Sequence, residues 1–179
     1  MVALALHRYL RGQRIDVSAI AAELGVGRTT IYRWFGTREE LVGTVVARAA
    51  EGVLAEIDAR TKGRGAERLL DVFDRFNRAL AEAPALRAFL EQERDTALRI
   101  ITSSEGTVTS RIVDRIAEII AREVDAGAYE PPVEIQTLAL AIVRLAEAFI
   151  FNDVRAGIRG DVDRLRSIEA ALLRAPAGV

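Results

Sequence analysis

Cysteine is absent from the 179-residue chain, which removes disulfides, thiolate metal sites and a cysteine nucleophile together. Histidine occurs once, at His7, so a His-pair metal site is excluded and a serine triad would rest on that residue alone. Aromatic residues make up only 6% of the chain and proline occurs 4 times, while 50% is apolar, chiefly Ala, Leu, Val and Ile. That balance favours helices. Charge of one sign is also lacking: the net charge is −1, so the chain as a whole is no bulk polyanion binder. Long apolar runs are missing too. The longest, Leu138–Phe151, is interrupted by Arg144 and Glu147 and falls short of a bilayer span. Val2–Leu6 is too short for a signal-peptide core and has no charged leader. The expectation is a cytoplasmic protein with no membrane partner, no cofactor and no metal. An enzyme is not expected, since the best a catalytic reading offers is the acidic cluster Glu91, Glu93 and Asp95, without a Gly-rich cofactor loop.

The near-neutral total hides an asymmetry. Residues 1–48 carry seven Arg (8, 11, 14, 28, 33, 38, 48) against four acids (Asp16, Glu23, Glu39, Glu40), and the remainder carries 18 Lys and Arg against 22 Asp and Glu. A basic front and an acidic rear point to an anionic partner for the N-terminal segment only.

Apolar residues recur at helical spacing almost throughout, and Gly, Pro and Asp/Ser/Thr clusters divide the pattern. The spacing predicts nine helices, at about 1–11, 17–24, 28–35, 38–60, 66–82, 85–101, 107–126, 132–155 and 162–174. Strand alternation bounded by hairpin dipeptides is absent. The expected fold is all-α. The shift in composition near residue 48 falls inside a helix, so a 1–48 domain and a 49–179 domain would share it. Thr37-Arg38-Glu39-Glu40 has the pattern of a capping box.

Residues 17–35 read VSAIAAELGVGRTTIYRWF. Two short helices that read DNA need apolar residues between them, a small residue at their crossing and Gly in the tight turn. Ile20 and Leu24 supply the inner face of the first helix, Ala21 the crossing residue and Gly25 the turn. Val26 plugs the junction, and Ile31, Trp34 and Phe35 form the inner face of the second helix. Thr29 and Arg33 project to the opposite side, flanked by Thr30 and Tyr32, with Arg28 at the helix N-terminus. This surface is rich in donors for phosphates and base edges. A phosphate-binding P-loop is excluded, because Ala22 and Arg28 stand where it needs Gly and Lys and a helix precedes it.

With these residues in view, positions 12–42 resemble the DNA-binding domain of TetR-family transcriptional regulators. The matching residues are Ile20-Ala21, Gly25-Val26, Ile31-Tyr32, Phe35 and Arg38-Glu39-Glu40-Leu41. The resemblance implies that Thr29, Thr30 and Arg33 meet bases, that Tyr32 and Arg38 hold phosphates, and that Arg28 does either. The chain departs from the family pattern at Gly27, Trp34 and Arg38, where a Ser/Thr cap, a histidine and a lysine are usual, and no basic arm precedes the first helix.

For the remainder, the resemblance implies a helical effector-binding and dimerisation domain. Leu90–Ile101 and Ile142–Gly157 are similar to the QsdR-like branch, for which the effector would be a small acyl lactone or related amphiphile. An apolar site would be lined by Phe73, Phe76, Phe89, Leu90, Ile116, Leu140 and Phe151, with Asn77, Tyr129, Arg144 and Glu147 as polar contacts. Arg144 and Glu147 stand three apart on one helix face, close enough to pair. Helix 132–155 is apolar on most of its circumference, with Ile135, Leu138 and Ile142 on one side and Val154 among those on others. Helix 162–174 carries the stripe Val162, Leu165, Ile168 and Leu172. Together Ile135, Leu138, Ile142, Leu165, Ile168 and Leu172 would form a homodimer interface as a four-helix bundle on a two-fold axis. The expected function is a dimeric repressor bound to a palindromic operator in double-stranded DNA and released by a small molecule. A helix-turn-helix dimer governed by a protein partner, or by no effector, is the alternative.

Overall fold

Several helices start where the chain supplies a cap or a turn. The computed structural model describes residues 1–103, 106–151 and 161–175. Among these it is all-α, with no strand: α1 (Val2–Leu10), α2 (Val17–Glu23), α3 (Arg28–Phe35), α4 (Arg38–Arg60), α5 (Gly65–Glu82), α6 (Pro84–Gln92), α7 (Arg94–Thr102), α8 (Thr107–Asp125), α9 (Ile135–Phe151) and α10 (Val162–Leu173). The Asp16 carboxylate accepts from the amides of Ser18 and Ala19 at 2.7 and 3.2 Å and opens α2. Those two bonds hold its pKa below the usual carboxylate value. The Thr37–Glu40 box is reciprocal: the Thr37 hydroxyl accepts from the Glu40 amide at 3.1 Å, and Glu40 accepts from the Thr37 amide at 2.7 Å. Pro84 sits in the first turn of α6, where its missing N–H costs nothing.

The single helix expected over 85–101 is two. Glu93 breaks it with φ −141° and ψ 47°, its amide still bonded to the Phe89 carbonyl and its carbonyl accepting from Ala97. Gln-Glu-Arg is made of helix formers, so propensity carries no trace of this break. Its cause is tertiary: the side chains of Gln92 and Glu93 are bonded to the loop after α1 and to α4. The helix expected over 132–155 begins at Ile135. Val154 and the end of the Ile142–Gly157 segment lie outside the described residues.

The chain forms two compact units, residues 1–50 with 83–111, and residues 51–82 with 112–179. The first has a core that includes Tyr9, Ile20, Ile31, Leu41, Val45, Phe89 and Ile100. There α1 packs on α6, and the Tyr9 and Phe89 rings meet edge to face, 6.1 Å apart. The second buries Leu69, Phe73, Ile119, Ile120, Leu138, Ile142, Leu165 and Leu173, with α5 packed on α9 and α10. Each fully buried large apolar side chain is worth about 2 kcal/mol relative to exposure. The packing units differ from the expected 1–48 and 49–179 division in that the first also takes in α6 and α7. No described helix is long and apolar enough to cross a membrane.

Candidate nucleic-acid interface

The turn between α2 and α3 is closed by backbone bonds that favour a left-handed residue. Gly25 has φ +66°; its amide bonds the Ala22 carbonyl at 3.2 Å and the Val26 amide bonds that of Ala21 at 3.0 Å. The chain therefore turns within one residue and sends α3 off at a defined angle. Ile20, Ala21 and Ile31 are buried between the two helices. Gly36, at φ +73°, ends α3 so tightly that a Cβ there would lie 2.0 Å from a Glu40 carboxylate oxygen.

The outward side of α3 is as the spacing predicts: Arg28, Thr29 and Arg33 are exposed, and Thr30 and Tyr32 are half-buried. Arg33 has no ion-pair partner among the described residues. Two inner-face expectations need correcting. Trp34 is 54% exposed and Leu24 39% exposed. At about 100° per residue, Trp34 stands some 80° from the midpoint of Ile31 and Phe35, beside Thr30. Gly27 precedes α3 with no side-chain cap, so the first amides of α3 are left for another acceptor.

Arg38 does not stand free at this surface. Its Nε donates to the Ile15 carbonyl at 3.1 Å and its Nη2 to Glu93 Oε1 at 2.7 Å. Arg14 lies 3.3 Å from the same oxygen. Burial alone would raise the Glu93 carboxyl, but the hydrogen bond and charge of Arg38, helped by Arg14, hold it below the usual carboxylate value. In this structure Arg38 is thus paired with an internal carboxylate.

A family model described as bacterial regulatory proteins of the tetR family matches residues 13–45, and one described as tetracyclin repressor-like, C-terminal domain, matches residues 64–174. The chain belongs to the TetR family. The solved structure of the R. erythropolis transcriptional repressor QsdR, from the same family, is similar over 99% of this chain and 94% of that one, at 31% identity and a TM-score of 0.92. PfmR from Thermus thermophilus, another TetR-family regulator, aligns over 99% and 96% at 18% identity with a TM-score of 0.47. No curated protein matches the chain. As a TetR-family protein it is a DNA-binding transcriptional regulator and not an enzyme.

In this TetR-family regulator the C-terminal expectations divide. Phe73, Phe76, Asn77, Ile116 and Phe151 are buried in the second unit, and Arg144 Nη1 meets Glu147 Oε2 at 2.6 Å, half-buried as a pair. Phe89 and Leu90 lie on α6 and belong to the first unit, where Phe89 is buried against Tyr9. Leu140, expected as a cavity wall, is 44% exposed, because it stands on the side of α9 opposite Leu138 and Ile142.

The interface expectation needs a larger correction. Leu138, Ile142 and Leu165 are at most 1% exposed within the single chain, so no second copy can reach them. Ile135 and Leu172 are half-buried and Ile168 is 37% exposed. The buried row of α10 is Leu165, Glu169 and Leu173, rotated from the apolar stripe by a charged residue. Glu169 is 0% exposed, and Asn77 Nδ2 donates to both its oxygens at 3.0 and 3.2 Å. Burial pushes its pKa up to about 7 against the pull of the Asn77 bond, with Asp74 adding to the rise and Arg166 opposing it. Arg166 itself is turned to Asp71 and Asp74 at 3.2 and 3.4 Å. Sequence reasoning missed Glu169; the available signal was its place four residues from both Leu165 and Leu173.

Proposed function

We propose that the chain is a ligand-responsive dimeric repressor whose α3 reads a palindromic operator in the cytoplasm. The observation that carries this is the outward face of α3, where Arg28, Thr29, Thr30, Tyr32 and Arg33 stand over a complete helix-turn-helix. Bidentate Arg and hydroxyl donors suit base edges in the major groove. The description of QsdR as a repressor supports repression here. Dimers are the usual state of the family, and Val133, Leu140 and Ile168 offer exposed apolar surface at 47%, 44% and 37% for such pairing. Two recognition helices on a two-fold axis call for an inverted repeat.

A small amphiphile is the effector, bound among Phe73, Phe76, Ile116 and Phe151, with Asn77 or the Arg144–Glu147 pair meeting its polar end. The test is fluorescence anisotropy with a selected operator duplex, titrated with a panel of acyl lactones. The expected result is binding that weakens steeply with salt and reverses with one member of the panel. Binding that no amphiphile reverses would remove the effector from this reading, and no specific binding would remove the operator.

A further inference from the structure

Glu93 occupies an unusual place for a carboxylate in a DNA-binding body. It sits at the joint of α6 and α7, its side chain is 9% exposed, and it meets two arginines, Arg38 at 2.7 Å and Arg14 at 3.3 Å. The joint is fastened on both sides: Gln92 Nε2 donates to the Gly12 carbonyl at 2.8 Å, and Arg99 pairs with Glu39 at 2.5 Å. Beside the cluster is a small cavity of about 10 Å³, room for one water. The Glu93 carboxylate offsets the charge of Arg38 and, with the Ile15 carbonyl, takes its Nε and one Nη2 donor, which weakens its pull on a phosphate.

We propose that Glu93 is an internal stand-in for a DNA phosphate, which keeps Arg38 off the DNA backbone and so lowers sequence-independent affinity. It rests on the reading of the α3 surface as the DNA-facing one. Stripping Arg38 from Glu93 would leave a nearly buried carboxylate with only the exposed Arg14, so the pair persists when DNA arrives. The protein therefore engages the backbone with one cation fewer, and base contacts from α3 carry a larger share of binding. Phosphate contacts hold any sequence alike, so withholding one raises the ratio of operator binding to bulk binding. Glu93 acts through Arg38 and is a positioning residue that sets specificity.

The test measures binding to a duplex of arbitrary sequence across a salt series for wild type, Glu93→Gln, Arg38→Gln and the double variant. Glu93→Gln frees Arg38, so affinity should rise about fivefold and the slope of log affinity against log salt should steepen by about 0.9. The double variant should match Arg38→Gln, since the gain acts only through that residue. In the wild type, the NMR signals of the Arg38 Nη–H groups, one of which meets Glu93, should be unmoved by the same duplex, a readout that needs no folded variant. A Glu93→Gln slope equal to or shallower than wild type, or an Arg38 signal that shifts with DNA, overturns the proposal alone. Absence of DNA binding by the wild type overturns the interface reading and this one with it.

Discussion

Helices α3 and α10 handle polarity in opposite ways. In α3 the apolar Ile31 is buried and the polar Arg28, Thr29 and Arg33 are exposed, so hydrophobic spacing reports burial almost directly. In α10 the apolar Ile168 is exposed while Glu169 is 0% exposed, and Arg166 on the same helix meets Asp71 and Asp74 of α5. One helix leaves these side chains exposed; the other uses Arg166 to pin itself to α5. Exposed polar groups are satisfied by water and stay available to an external ligand, whereas a buried pair of matched groups points first to packing.

The contrast breaks most visibly at Leu165. Aspartate there would bury a second carboxylate beside Glu169, and the second unit should lose roughly 4 kcal/mol or more, unfolding at ordinary temperature. Ile168→Asp, on the exposed edge of the same helix, should leave the fold intact and release monomers in sedimentation. Equal melting temperatures for the two variants would show that the buried row is misassigned. Glu169→Gln tests the same row through pH. The folded pKa of about 7 lies above the usual 4.5, so the native state binds more protons across that window and wild-type stability falls as pH rises from 4.5 to 7. The glutamine variant should lose this slope and be more stable by about 3 kcal/mol above pH ~8. A wild type with no loss of stability between about pH 5 and 8 would contradict it. On the other helix, Arg33→Ala should melt as the wild type does yet weaken operator binding by roughly 1–3 kcal/mol. Thr37→Ala should have the smallest effect, about 1 kcal/mol from half of a capping box at the exposed start of α4, read by thermal melting of the first unit.

How much of this was legible in the sequence follows from the same physics. The helix-turn-helix rests on local requirements: a left-handed Gly25, a small Ala21, a cap at Asp16 and a box at Thr37–Glu40, each satisfied within a few residues. Such signals survive in a bare sequence. The break at Glu93 depends on Arg14 and Arg38, remote in the chain, and the burial of Glu169 depends on Asn77, 92 residues away. Neither distance is encoded in spacing or propensity, so α6 and α7 read as one helix, and the apolar stripe of α10 falls about one residue from its inner row. Trp34 misleads for a different reason: its large apolar ring suggests core, although singly exposed apolar residues are ordinary on protein surfaces.

The central claim is that α3 reads DNA through its outward residues. The most direct measurement is selection of random duplexes by wild type and Arg33→Ala in parallel, followed by sequencing. The account predicts that wild type enriches an inverted repeat and that the variant loses base preference at one position in each half-site, keeping the rest. Enrichment of no motif by the wild type, or of the same full motif by Arg33→Ala, would contradict it.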